Sequence, residues 1–401
     1  MADAAKLNIL VLSCFNTGDP FIRRAKERGA KIWLLTKAKY LNKNWLRSGL
    51  EDVFAEPDGC AVAHTVNTVS FLSRKVKFDR IVPFDDVDVD VAAHLREHLR
   101  IPGMGETRAR VFRDKLAMRT KAVEEGIPVP EFVHVCNHDE INAFIKRVPA
   151  PWMLKPRAEA ATTGIRKIQT PEELWQKIDA LGDRQSHFLL EQFLPGEVHH
   201  VDSIVTEGKV VFSEVHRNGL PPFEVSHGGG MFTTFTVERG SADEKALKEL
   251  NEKVLTRFGL LRGVSHIEYI KGKDGKMYFL EAGARVGGAH VADVVDAATG
   301  LNLWREWANI EIDKGGVPYQ LPTLRKEYGG LVQTLAKQER PDLSAYNDPE
   351  IVLRTDDKHH AGLVVRAATR EKVAALLDGY TRRFAQDFHA AMPPRELPPQ
   401  R

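Results

Sequence analysis

Val-Ser-His-Ile-Glu-Tyr-Ile (264–270) and Met-Tyr-Phe-Leu-Glu-Ala-Gly-Ala-Arg (277–285) flank Lys-Asp-Gly-Lys (273–276). Asp-Gly between two apolar runs is a strong hairpin signal. With Asp274 and Gly275 as a two-residue loop, Lys273 faces Lys276. Counting outward then sets Glu268 directly opposite Glu281. Cross-strand partners have Cβ atoms roughly 4.5–5.5 Å apart. Two carboxylates that close repel unless a positive group lies between them. One or two carboxylates with phosphate oxygens is the usual Mg²⁺ arrangement, so the hairpin points to magnesium and a nucleotide. The other reading is a surface ladder with both carboxylates in water. Ile267, Phe279 and Leu280 argue against it, because they imply a largely buried sheet in which carboxylates need partners.

The rest of the composition narrows the class. The chain has 401 residues, 43% hydrophobic and 28% charged, with net charge +2. That length calls for two to three domains. The charge balance gives no field for nucleic acid or a membrane surface, and no apolar run reaches membrane-span length. No signal-peptide pattern opens the chain. Cys14, Cys60 and Cys136 are odd in number and widely spaced, which fits a reducing, cytoplasmic setting without a disulfide framework. The Pro-rich stretch 393–401 reads as a frayed tail.

Leu7–Ser13 is a continuous apolar run of the buried parallel-strand kind. Lys31–Thr36 and Arg80–Pro83 read as further strands, with helices between and after them. Residues 1–102 are therefore expected to form an N-terminal α/β layer. No Gly-x-Gly-x-x-Gly follows the first strand, so a dinucleotide site of that type is unsupported. A helix is expected over Glu106–Glu125, stopped by Gly126 and Pro128. Thr170-Pro-Glu-Glu173 is a capping box that opens another helix.

Several constellations carry chemistry. Lys155 ends a strand before the small-residue loop 158–164, whose backbone amides could approach phosphate oxygens; a solvated loop with a surface lysine is the alternative. Glu191-Gln-Phe-Leu-Pro-Gly-Glu197 turns away from an apolar strand, where backbone groups could read an adenine edge and Glu197 could accept from ribose; two solvated glutamates are the alternative. His266 shares a face with Glu268 and is either structural or functional. Arg285 lies four residues after Glu281, placed to stabilise charge on a metal-bound phosphate, or else is an ordinary surface arginine. The glycine-rich stretch 216–232 is a flexible substrate loop, a lid or a plain connection.

Taken in order, these pieces resemble the ATP-grasp superfamily. They are Arg-Asp-Lys115 with Gly-Ile-Pro-Val-Pro (126–130), Pro-Trp-Met-Leu-Lys155-Pro, Glu191 to Glu197, His266-Ile-Glu268 and Glu281 to Arg285. The match covers about residues 106–312. The resemblance implies an ATP-grasp domain over 103–325, with a lid at about 126–190 between a Rossmann-like layer (1–102) and a C-terminal lobe (326–401). It implies that Lys115 and Lys155 contact the phosphates and that the loop with Thr162, Thr163 and Gly164 closes over them. Glu191 and the backbone of Gln192, Phe193 and Leu194 would read adenine, with Met153 and Leu280 packing on its ring. Glu197 would hold ribose, and Glu268 and Glu281 would bind Mg²⁺, with Mn²⁺ as a substitute. Many members carry Asn two residues after the second metal glutamate; here Gly283 stands there. With Arg285 kept, the segment looks like the L-amino-acid ligase branch, which forms dipeptides.

That branch implies a carboxylate–amine ligation through an acylphosphate, releasing ADP and phosphate, on amino acids or small carboxylic acids. His216, His227 and His266 are candidates for the base that deprotonates the amine, and the sequence does not choose between them. Such ligases are commonly homodimers, though nothing in the chain identifies an interface. The competing readings are an ATP-binding sensor or scaffold, and a ligase for a protein or other acceptor.

Overall fold

The computed structural model describes residues 7–15, 17–313 and 319–393. The expected frayed tail therefore lies, Pro393 apart, outside the described residues. The first sheet contains β1 (Asn8–Leu12), β2 (Lys31–Lys37), β3 (Asp52–Glu56) and β4 (Arg80–Pro83). It is parallel, in the order β3-β2-β1-β4. The apolar run of β1 is central and buried, as a strand with both faces covered should be. The edge strand β3 was not anticipated, because half-exposed Asp-Val-Phe-Ala-Glu lacks a continuous apolar run.

The second sheet contains β5 (Phe132–His134), β6 (Trp152–Pro156), β7 (Arg166–Ile168) and β8 (Phe188–Gln192), in the order β5-β8-β6-β7. It has its own core of Ile141, Phe144, Trp152, Leu154, Leu174 and Leu190 among others. Thr170 caps the helix as expected, accepting from Glu173 N at 3.2 Å, but the Glu173 carboxylate reaches one residue further back, to Gln169 N at 2.8 Å.

The third sheet positions the site. It is built from β9 (Gly196–Thr206), β10 (Lys209–Asn218), β11 (Phe232–Thr236), β12 (Gly263–Gly272), β13 (Met277–Gly283), β14 (Tyr328–Leu335), β15 (Ile351–Arg354) and β16 (His360–Ala367). The order is β13-β12-β9-β10-β11-β14-β16-β15. β11 and β14 pair from Phe232–Gln333 to Phe235–Gly330, so the C-terminal strands continue the same layer.

Two expected elements differ. The helix over 106–125 is two helices, Glu106–Arg110 and Lys115–Glu124. Asp114 breaks it by capping the second helix, accepting from Leu116 N at 2.9 Å and Ala117 N at 3.3 Å. The stretch 216–232 is not an open loop either. β10 runs on to Asn218, and Pro222–Gly228 forms a short helix.

The first layer is fixed to the third sheet through a ring cluster. Phe21 meets Phe84 and Trp307 edge-on, with centroids 5.1 and 5.7 Å away. Each fully buried ring contributes about 1.5–3 kcal/mol. Among the described residues no helix is long and apolar enough to cross a membrane.

Candidate active site

The hairpin reaches the expected alignment by an unexpected route. Gly272 N donates to Lys276 O at 2.9 Å, so three residues form the loop and Lys273 does not face Lys276. Gly275 has φ +78°, the conformation such a loop requires of its last residue. Lys271 pairs with Met277, Ile270 with Tyr278 and Tyr269 with Phe279. Continued unbroken, that register would set Glu268 against Leu280 and turn Glu281 into the core. A β-bulge at Leu280 inserts one residue and restores the pairing Glu268–Glu281. Phe279 and Ala282 consequently face the core, while Leu280 and Glu281 are both left partly exposed between them.

Two rows of side chains cross the sheet on this face, buried at the β10 and β9 end and open at Glu268 and Glu281. His216, His200, Glu268 and Glu281 are successive partners on β10, β9, β12 and β13. Beside them run Glu214, Asp202, His266 and Gly283. Glu281 accepts from Lys115 Nζ at 2.8 Å, and the same ammonium donates to the Glu159 carbonyl at 2.7 Å. The side chains of Glu268 and Glu281 are 29% and 35% exposed. Two accessible, opposed carboxylates supply hard oxygen donors of the kind Mg²⁺ takes, so the residues present fit that ion.

Asp202, fully buried, is the hub behind Glu268. His200 Nδ1 donates to it at 2.7 Å and His266 Nδ1 at 2.9 Å. Burial opposes its charge, but the adjacent imidazoles outweigh this and hold its carboxyl well below the ordinary range. For His266, burial alone would lower the pKa; the Asp202 carboxylate wins and raises it to about 9. His266 is therefore an imidazolium at neutral pH, with Nε2 3.9 Å from Glu268 Oε1. The stability this supplies is fully present below the unfolded value near 6.5 and is lost as pH rises to about 9. In metal-free buffer the stability advantage of the wild type over His266→Gln should shrink by about 3 kcal/mol across that window. Denaturant midpoints measure it; an advantage that stays constant would contradict the assignment.

The other two histidine candidates separate. His216 is fully buried, stacked on His200 with centroids 4.9 Å apart, and burial lowers its pKa. The expectation that it serves as a base at the substrate does not hold, because both ring nitrogens are sealed from the open face. His227 lies on the helix Pro222–Gly228, with its Nε2 3.1 Å from the Ile165 carbonyl. On the same helix Ser226 Oγ accepts from Thr162 Oγ1 at 2.7 Å. The loop holding Thr162, Thr163 and Gly164 thus touches the 216–232 segment. Ala161, Thr162 and Gly164 all have φ between +53° and +70°.

Glu191 also departs from expectation. Its carboxylate, fully buried, is ion-paired with both Arg119 and Lys155. Burial would raise its pKa, but Arg119 and Lys155 outweigh this and lower it. The side chain is thus committed inside the protein and does not reach a base edge. The N–H groups of Gln192 and Phe193 are also taken, by the carbonyls of Glu131 at 2.8 Å and Pro151 at 3.2 Å. Met153 is buried opposite Glu191, Leu280 is partly exposed, and Leu194 follows at the strand's end. Glu197 is 44% exposed and pairs with Arg217 at 3.0 Å.

Arg285 donates to Asp86 Oδ2 at 2.6 Å and to its neighbour's carbonyl, Val286 O, at 2.8 Å. Burial disfavours its charge, but Asp86 outweighs that and raises its pKa. Asp86, Asp202, Arg119 and Asp114 were not singled out in the sequence. Their signals are faint. Phe-Asp-Asp-Val-Asp (84–88) reads as an acidic helix start, and His-His-Val-Asp (199–202) places polar residues at alternate positions of an apolar strand.

A two-lobed site with a parallel N-terminal layer, a small lid sheet and a large antiparallel sheet carrying paired acids is an ATP-grasp architecture. Residues 148–293 match the ATP-grasp domain family, so the chain contains an ATP-grasp domain. Across the whole fold it is similar to the L-amino acid ligase of Bacillus licheniformis. The TM-score is 0.77 at 17% identity, covering 96% of this chain and 99% of that one. In sequence it is 25% identical over 244 residues to the L-arginine-specific L-amino acid ligase of Bacillus subtilis, covering 59% of this chain and 58% of that protein. It is 23% identical over 189 residues to the D-alanine–D-alanine ligase of Neisseria gonorrhoeae, covering 46% and 62%. The matched region thus spans about three fifths of the length of these relatives.

Proposed function

We infer that this protein is an ATP-dependent carboxylate–amine ligase that acts on amino acids or small carboxylic acids. The observation that carries the reading is the bulge-aligned pair Glu268 and Glu281, with Lys115 beside it and Arg285 on the same face. The relatives named above join amino acids, which supports the reading.

Bound Mg²⁺ would be held by Glu268 and Glu281 and would neutralise charge on the transferring phosphoryl group. Lys115, which bonds Glu281, would bear on the phosphates, and Lys155, ion-paired with Glu191, would do so only from the end of its strand. The substrate carboxylate attacks the γ-phosphorus, giving an acylphosphate and ADP. The amine then attacks the acyl carbon and phosphate leaves. Arg285 bears on the acylphosphate and on the oxyanion formed in that second step. His266 is hydrogen-bonded through Nδ1 to Asp202, which favours its charged form beside Glu268 and disfavours a role as the base. His227 has its Nε2 against the Ile165 carbonyl and its Nδ1 against Ser226 Oγ and the Phe223 carbonyl, so the departing phosphate is the better acceptor for the amine proton. Contact between the 158–164 loop and the helix at 222–228 excludes water that would otherwise hydrolyse the acylphosphate.

Arg285→Ala should lower turnover ~10²–10³-fold with little change in nucleotide affinity, because the guanidinium acts late. A nucleotide titration beside steady-state rates separates the two; lost affinity with an unchanged rate constant would refute that role. The reading itself is tested with ATP, Mg²⁺ and pools of amino acids and small acids, following ADP, AMP and phosphate together with product mass. ADP and phosphate that depend on one acid and one amine, with a product one water lighter than their sum, are expected. AMP would overturn the acylphosphate route, and nucleotide bound but never turned over would favour a sensor.

A further inference from the structure

We propose that Arg113 is a second arginine for the oxyanion that Arg285 handles, and that it binds the transferred phosphoryl group. This rests on the reading of the site as that of an ATP-dependent ligase.

Three arginines are buried among the described residues, Arg96, Arg113 and Arg119. Two of them have partners inside the protein. Arg96 donates to the carbonyls of Ile81 at 3.0 Å and Met104 at 3.1 Å. Arg119 is ion-paired with Glu191. Arg113 is only 8% exposed, yet among the described residues its guanidinium has no hydrogen-bond or ion-pair partner. The group cannot shed its proton. A buried charge is costly unless it is paired, so an arginine kept for structure alone should show its partner. Arg113 instead suits a partner that arrives with the reaction.

Its surroundings indicate the kind of partner. Arg113 lies in the turn between the helices Glu106–Arg110 and Lys115–Glu124, two residues before Lys115. Lys115 bonds Glu281 and the Glu159 carbonyl of the 158–164 loop. Arg113 bears on Asp86 together with Arg285 and Lys115. It also bears on Asp90, one turn further along the helix Asp86–Leu99. Asp86 is committed to Arg285 through Oδ2, and Asp90 is exposed, so neither pairs directly with Arg113. Three cations thus gather around one carboxylate, next to the acid pair. A phosphoryl group spreads its charge over three oxygens and takes several donors at once, and an arginine fork can bind two of those oxygens together.

The test uses the full-length protein with inorganic phosphate as the probe, titrated at saturating ADP and Mg²⁺, beside a titration of ADP and Mg²⁺ alone. Arg113→Gln should weaken phosphate binding about 10–100-fold and leave ADP affinity unchanged. Arg113→Lys, which keeps the charge but not the fork, should recover part of the loss. Arg113→Gln should also melt no lower than the wild type, because the charge it removes is buried without a partner. A lower melt with unchanged phosphate affinity would mark a structural arginine and overturn the proposal. An equal loss of ADP affinity would overturn it too, since Arg113 would then serve the nucleotide. So would a raised KM for the acid substrate with phosphate binding intact, which would place Arg113 on the carboxylate. Arg285→Ala is measured alongside. If it weakens phosphate binding and Arg113→Gln does not, this proposal falls and the ligase site stands. If neither does, both readings fall.

Discussion

Glu281→Gln should slow ADP and phosphate release by ~10³ while the protein melts within a degree or two of the wild type. The amide keeps the shape of the side chain and removes its charge, so the change falls on the cation and on little else. Loss of one charged metal ligand at a phosphoryl-transfer centre is of the order of 4 kcal/mol, which is about a thousandfold in rate. Stability is spared because Glu281 is only partly buried and its partner Lys115 retains the Glu159 carbonyl. Phosphate release at saturating ATP, beside a thermal melt, measures both. A near-normal rate would contradict the site assignment.

Glu191→Gln is the second large effect, and it falls on folding. Glu191 and Arg119 are both fully buried, and Lys155 is 15% exposed. With the carboxylate gone, two cations face each other across an uncharged amide. Arg119 cannot shed its proton, and its two terminal nitrogens already have no other partner. Removing one member of such a buried set typically costs about 3–5 kcal/mol. Urea denaturation should register that loss, and nucleotide affinity should fall with it because Lys155 and Met153 share the strand beside Glu191. A stability within 1 kcal/mol of wild type, a difference too small for a broken buried ion triad, would mean the triad is solvated in solution.

The sequence made the third sheet's acids legible because they interrupt strongly apolar strands, and β1 legible because it is buried on both faces. The order of motifs from Lys115 to Arg285 pointed to the correct fold. What stayed hidden depends on long-range contact. Asp86 meets Arg285 across 199 positions, and Arg119 meets Glu191 across 72. No local period records such pairs. Asp114 is a different case: its cap is local, through Leu116 N and Ala117 N, and an Asp that starts a helix is a signal the continuous pattern over 106–125 concealed. The role of Glu191 at a base edge comes from the family resemblance alone; nothing local in the sequence shows that Arg119 and Lys155 converge on its carboxylate.

The bulge at Leu280 has a consequence for how this hairpin can change length. Leu280 is the one extra residue between the pairs Tyr269–Phe279 and Glu268–Glu281. Removing it alone would straighten β13 and, counting on from Tyr269–Phe279, still set Glu281 opposite Glu268, with Phe279 and Ala282 facing the core as before. Adding a further residue there would instead turn Glu281 away from Glu268. Related chains can therefore lose this residue singly and keep the acid pair, but cannot gain one.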